Sequence, residues 1–385
     1  MILIRQIETY TPTYLGKKDI LTGGGKIISI CDHLDFVGDP NLEVIDGTGL
    51  MALPGLIDAH VHIAGAGGEG GPATRTAGLR ISDMLEAGVT TVVGCLGTDG
   101  YTRSVESVLM KVKSIRHEGL SAWMFTGAYQ IPPPSILENV GKDIAMIEEI
   151  IGVGEVALSD HRSSYPTTQE LIRLASMARV GGMLGNKCGI VNIHMGDAKD
   201  PFRPLYDAST TSEIPLKQFW PTHCNRNHHI FEDAKEYGKK GYLDLTASSY
   251  PYFPEFEIKP SKAIAELLRS GVPLQHITLT SDACGSLPDF DEQGNLVKLE
   301  MGYPLSVFTE IRDSILEEKM SISDAFSLAT SNVAGILKLA HKGRIQENND
   351  ADLLILDKEL NIIHVLANGS VMVRNGNILK KGAYE

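Results

Sequence analysis

Apolar and polar positions alternate along this chain with two different periods. Short β-rich runs begin at Leu56 (LIDAHVHI), Val89 (VTTVVG), Ser121 (SAWMFTG) and Glu155 (EVALSD). Four more begin at Ile190 (IVNIHMG), Gln218 (QFWPTHC), Tyr242 (YLDLTAS) and His276 (HITLTSD). Successive starts lie 24 to 35 residues apart. Between them run segments with helical apolar spacing, among them Arg80–Ala87, Val105–Ile115 and Thr168–Arg179. Strands alternating with helices predict βα units and a parallel sheet. Eight such units predict an α/β fold of the (β/α)8 barrel type over residues 51–339. The flanks at 1–50 and 340–385 are β-like, with MILIRQIETY and KIISI in front and DADLLILD and SVMVRNG behind. Neither can bury much core alone, so the expectation is one small β-sandwich built from both chain ends.

Composition narrows the class. Of 385 residues, 43% are hydrophobic and 22% charged, an ordinary balance for a folded globular chain and not a disordered one. No run approaches the roughly 18 apolar residues of a membrane helix. The start MILIRQIETY has neither the basic opening nor the cleavage site of a signal peptide. The net charge of −13 argues against nonspecific binding to nucleic acid or anionic membrane. Five scattered cysteines without a CxxC argue against a disulfide framework, and the expected location is the cytoplasm.

Active sites of such barrels sit at the C-terminal strand ends, and here those ends are chemically unusual. The first run closes on His60 and His62, whose i, i+2 spacing points both side chains one way. The fourth opens with Glu155, the fifth ends at His194, the sixth at His223 and the eighth at Asp282. Four imidazoles and two carboxylates converging on one barrel mouth suit zinc, and also iron, manganese or cobalt. Any one of these residues alone reads more simply as a hydrogen-bonded core side chain; the shared position at strand ends is what points to a metal. Cys224 and Cys284, next to two of them, read as small core residues.

PGLIDAHVH (Pro54–His62), EAGVTTVVG (Glu86–Gly94) and KGRIQENNDADLLILD (Lys342–Asp357) resemble the amidohydrolase superfamily. Within it, GGEGGPATRT (Gly67–Thr76), LGTDG (Leu96–Gly100), MFTGAY (Met124–Tyr129), SDHRSS (Ser159–Ser164), HMGD (His194–Asp197), PTHCNRN (Pro221–Asn227) and TSDACGS (Thr280–Ser286) resemble the isoaspartyl dipeptidases in order and spacing. The resemblance implies two Zn2+ per subunit, one held by His60, His62 and Asp282 and the other by His194 and His223. It also implies a bridging carboxylate. In the family that bridge is usually a carboxylated lysine; here the matching position is Glu155, whose shorter arm requires a closer backbone.

The resemblance further implies hydrolysis of the β-aspartyl amide of small dipeptides, with Asp282 as base and then acid and Tyr129 as the oxyanion donor. Such a substrate carries one ammonium and two carboxylates. Glu69, with Thr98 beside it, suits the first; Arg162 and Arg226 suit the others, and Ser286 adds a hydroxyl. A homo-oligomer, an octamer by resemblance, is expected. The competing expectations are another cyclic-amide or N-acyl amino acid amidohydrolase, a mononuclear deaminase suggested by the missing lysine and by Asp197, and a non-catalytic scaffold.

Overall fold

The computed structural model describes residues 1–35, 41–291, 293 and 295–385. The chain opens with β1 (Ile2–Tyr10), β2 (Tyr14–Gly23), β3 (Lys26–Cys31), β4 (Glu43–Asp46) and β5 (Met51–Pro54). The alternating units follow: β6 (Leu56–Val61), α1 (Ile81–Glu86), β7 (Val89–Gly94), α2 (Val105–His117), β8 (Ser121–Thr126), α3 (Val140–Met146), β9 (Ile150–Leu158) and α4 (Thr168–Leu184). They continue through β10 (Ile190–Met195), α5 (Arg203–Thr210), β11 (Phe219–Thr222), α6 (His228–Gly238), β12 (Leu243–Thr246), α7 (Pro260–Arg269) and β13 (Ile277–Thr280).

β6 to β11 form a six-stranded parallel sheet in chain order, and β12 pairs parallel with β13. Backbone bonds join that pair to both outer strands of the six. Cys224 N–H donates to Asp244 O at 3.1 Å, Asp282 N–H to His60 O at 3.1 Å, and His62 N–H to Ala283 O at 2.9 Å. Every residue of β6 to β13 except Trp123 is buried, as expected of parallel strands covered by helices.

Seven of the eight run starts fall within one residue of the first residue of an observed strand. The exception is the fourth. β9 begins at Ile150, so Glu155 lies inside the strand and does not open it. The segment IIGVGEVAL is buried at every position, which erases the period-2 signal, and its glycines resemble a turn. The glycines have a packing reason. A Cβ on Gly154 would stand 2.7 Å from Asn192 Cβ on β10, so β9 lies against β10 only because that side chain is missing.

After β13 comes a hairpin of β14 (Ser286–Phe290) and β15 (Leu296–Met301), then α8 (Leu305–Leu316), α9 (Ile322–Ser327) and α10 (Ser331–Leu337). The chain closes with β16 (Leu353–Leu356), β17 (Ile362–Ala367), β18 (Ser370–Arg374) and β19 (Asn377–Ile378). These four join β5, β1, β2 and β3 in one nine-stranded sheet, with β4 beside β1. Met51–Pro54 therefore runs in this sheet, between β1 and β16. Ile4, Ile20, Ile45, Ile355 and Leu366 pack a core drawn from both chain ends. No helix among the described residues is long and apolar enough to cross a membrane.

Candidate active site

Glu155 is the centre of a buried cluster at the C-terminal ends of the parallel strands. Its Oε2 lies 3.3 Å from His60 Nε2, 3.1 Å from His194 Nδ1 and 3.5 Å from His223 Nε2. Its Oε1 lies 3.4 Å from His62 Nε2. Burial opposes a charge on this carboxyl, but His60, His194 and His223 together hold it well below the usual carboxylate range. Asp282 Oδ1 stands 3.1 Å from His62 Nε2 and 3.7 Å from His60 Nε2. His223 and Asp282 both follow a strand end with left-handed backbones, at φ 61° and 59°. Non-glycine residues hold this conformation at a cost, and it concentrates at functional sites.

Neighbours set the direction of the imidazoles. His60 Nδ1 pairs with Asn192 Oδ1 at 3.1 Å, and His223 Nδ1 with Thr246 Oγ1 at 2.6 Å. Each pairing leaves Nε2 facing Glu155, which is how ligand histidines are commonly oriented. His194 is turned the other way, with Nδ1 toward Glu155 and Nε2 3.0 Å from Asp160 Oδ2. Burial and the nearby charges push the His223 imidazole down to about 3, so it stays neutral.

The other expected residues line the same cleft, which encloses about 510 Å³. The Tyr129 hydroxyl is 2.8 Å from His194 Nδ1, and burial raises its phenol well above the ordinary value, so it keeps its proton. Arg162 makes a two-point pair with Asp160, Nε to Oδ1 at 3.0 Å and Nη2 to Oδ2 at 2.8 Å. Arg226 Nη1 lies 3.7 Å from the same carboxylate. Glu69 Oε1 is 3.8 Å from Arg162 Nη1, and Glu69 Oε2 and Ser286 Oγ are buried without hydrogen-bond partners. Thr98 completes the wall and receives Gln130 Nε2 on its carbonyl at 3.3 Å.

Sequence reasoning passed over several residues here. Cys95, just past β7, has its sulfur 3.8 Å from His60 Nε2 and 3.9 Å from His62 Nδ1. Its signal was its place at the end of the second strand run, the same frame that marked the histidines. Asp160, within the SDHRSS motif, organises both arginines and His194. Glu257 lines the cleft with Ser249 donating to it at 2.6 Å, and burial lifts its carboxyl to about 7. No periodicity marks Glu257, because it lies in the loop between β12 and α7.

Three comparisons bear on this site. The model of the amidohydrolase family matches residues 221–380. The β-aspartyl dipeptidase of Fervidobacterium islandicum AW-1, solved with a β-Asp-Leu dipeptide, is 41% identical, with 98% of each chain covered and a TM-score of 0.91. The chain belongs to the amidohydrolase family. Among more distant members, the dihydroorotase of Elusimicrobium minutum is 23% identical over 388 residues, 89% of this chain and 84% of that one. The D-hydantoinase of a Thermus species is 18% identical with a TM-score of 0.72, covering 99% and 97%, and shares the fold.

As an amidohydrolase the chain is expected to hold divalent metal, and its donor set fits. Ligand atoms of two residue groups lie within 4.8 Å of one another: His60, His62, Cys95 and Glu155 in one, Glu155, His194 and His223 in the other. Glu155 is common to both. Its ion-pair partners among the described residues are all imidazoles, with no lysine or arginine. Asp282 Oδ1 is likewise buried without a hydrogen bond. Buried carboxylate oxygens among imidazoles are the environment of a metal ion.

Proposed function

We propose that this amidohydrolase is a metal-dependent isoaspartyl dipeptidase, a (β/α)8 barrel with a small sandwich of both chain ends, acting on β-linked Asp dipeptides. The observation that carries the proposal is the charge pattern around the carboxylate–histidine cluster. A partnerless Glu69 oxygen and two arginines face one cleft, matching a substrate with one ammonium and two carboxylates. A cyclic amide such as dihydroorotate has no ammonium for Glu69.

His60, His62, Asp282 and Glu155 would hold one Zn2+ and Glu155, His194 and His223 the second. Bound there, the metals polarise the amide carbonyl and lower the pKa of water toward 7. Arg162 and Arg226 take the substrate carboxylates, with Asp160 holding both guanidinium groups in place beforehand. Glu69, with Thr98 beside it, takes the α-ammonium, and the free Ser286 hydroxyl donates to the nearer carboxylate. These contacts aim the side-chain amide at Asp282. Asp282 accepts the proton of the attacking water and passes it to the leaving amine. Tyr129, held as a phenol, donates to the oxygen that gains charge in the tetrahedral transition state.

The test is hydrolysis of β-Asp-Leu, α-Asp-Leu and dihydroorotate by the zinc-loaded protein, with metals counted on the same sample. Turnover of β-Asp-Leu alone, with about two metals per chain, is the expected result. Turnover of dihydroorotate in its place, or of none, overturns it. The same proposal includes a cytoplasmic homo-oligomer, which light scattering checks for assembly.

A further inference from the structure

We infer that Cys95 is a thiolate ligand of the metal on the His60–His62 side of the pair. The inference rests on the metal-dependent amidohydrolase reading above.

Cys95 is fully buried, and its backbone is pinned where β6 and β7 end. Its N–H donates to Val61 O at 3.0 Å, between the two histidines of the His60-Val61-His62 motif. The following loop comes close to the same histidines because Gly97 has no side chain. A Cβ there would stand 2.7 Å from His62 Cε1. The sulfur thus enters the cluster from the end of β7, and Glu155 enters it from β9.

The separations are those of ligands sharing one ion. With Zn–S of about 2.3 Å and Zn–N of about 2.0–2.1 Å, a tetrahedral site puts sulfur and nitrogen roughly 3.6 Å apart and two nitrogens roughly 3.4 Å apart. Cys95 Sγ lies 3.8 Å from His60 Nε2. Glu155 lies 3.3 Å from His60 Nε2 and 3.4 Å from His62 Nε2. These distances depart from the tetrahedral edges by a few tenths of an ångström at most. His62 presents Nδ1 to the sulfur at 3.9 Å and Nε2 to the carboxylates, so His60 Nε2, which faces both the sulfur and Glu155, is the nitrogen that would share the ion with them. The sulfur's other neighbour is Val61 O at 3.7 Å, at the long end for a thiol hydrogen bond.

The alternative role is a small packed side chain. Cys224 and Cys284 are also buried beside ligand positions, two and four residues past the ends of β11 and β13. Cys224 Sγ lies 3.4 Å from Pro221 O, and neither sulfur belongs to a group of possible ligand atoms. Cys95 is the cysteine whose sulfur is aimed into the cluster. A thiolate adds a soft, negative donor to a site whose carboxylate bridge has a shorter arm than a carboxylated lysine. It favours zinc, cadmium or cobalt over manganese on that side.

The test is optical titration of the metal-free full chain with Co2+, then X-ray absorption of the zinc-loaded protein. The wild type is expected to develop a near-ultraviolet thiolate-to-cobalt charge-transfer band. C95S is expected to lose it, whereas C224S and C284S keep it. Zinc-edge spectra are expected to contain a sulfur shell at about 2.3 Å. That wild-type measurement decides the matter even where C95S does not fold. A metal-loaded wild type without a sulfur shell, or a band that survives in folded C95S, overturns the assignment. Sulfur ligation without β-Asp-Leu hydrolysis leaves Cys95 a ligand and overturns the dipeptidase reading alone. Hydrolysis without sulfur ligation does the reverse.

Discussion

Glu155 accepts the approach of four imidazoles with two oxygens, and no other carboxylate among the described residues has that role. Replacing it with alanine removes the charge that the two histidine pairs share. Glu155→Ala is expected to lower kcat/KM for β-Asp-Leu by about 100-fold or more, since metal polarisation is worth several kcal/mol. Metal content should fall in parallel, measured by atomic absorption; full activity in the mutant would remove Glu155 from the site. Arg162 acts differently. Its planar fork engages Asp160 at two points, which lysine cannot reproduce. Arg162→Lys should cost about 10–100-fold in kcat/KM, the worth of one or two charged hydrogen bonds, mostly through KM. Steady-state kinetics on the zinc-loaded mutant reads that division directly.

At the scale of elements, the close approach of β9 to β10 decides whether Glu155 reaches the histidines. Gly154→Ala puts a methyl group 2.7 Å from Asn192 Cβ and 3.0 Å from Asn192 O. The expected cost is roughly 1–3 kcal/mol from overpacking. The Asn192 partner of His60 moves with it, so metal occupancy should fall as well as stability. Calorimetry and metal counting on one preparation check both.

The loop between β12 and α7 carries a second prediction. Burial raises Glu257 from 4.5 to about 7, against a smaller opposite effect of the Ser249 hydrogen bond. The folded state therefore holds this proton more tightly than the unfolded chain. The stability so gained is complete below about pH 4.5 and is lost as the pH rises through about 7, a change of about 3 kcal/mol. Glu257→Gln should flatten that part of the curve. Denaturant melts of both proteins from pH 4.5 to 8 test it, and parallel curves would show that Glu257 titrates normally.

The whole molecule is tied together by Lys342. Its buried ammonium lies 2.6 Å from Asp352 Oδ2, 2.9 Å from Asp350 Oδ2 and 2.6 Å from the Ser121 hydroxyl that opens β8. This joins the segment that leads into β16 to the start of β8. Removing one partner of a buried pair strands the other charge and typically costs about 3–5 kcal/mol. Lys342→Ala should lose that much in urea unfolding, in one transition if the two parts unfold together. A loss under about 1 kcal/mol would mark the pair as incidental.

Periodicity carried seven of the eight parallel strands and the β character of both ends, because each parallel strand must be apolar and each connecting helix amphipathic. The strand-end frame carried His60, His62, His194, His223 and Asp282, because such ends all open on one rim. Local pattern could not carry β9, Cys95, Asp160 or Glu257. A strand buried on both faces has no alternation, and an isolated cysteine or acid acquires meaning only from neighbours far away in the chain. Asn192 turns His60 from 132 residues away, and Asp58 fixes Ser281, beside Asp282, from 223 residues away. Which atoms face the same point is a property of packing between strands. The residue types and their frame were written in the chain itself; their common focus on Glu155, and the sulfur beside it, were decided by the tertiary structure, since only folding brings donors so far apart within a few ångströms.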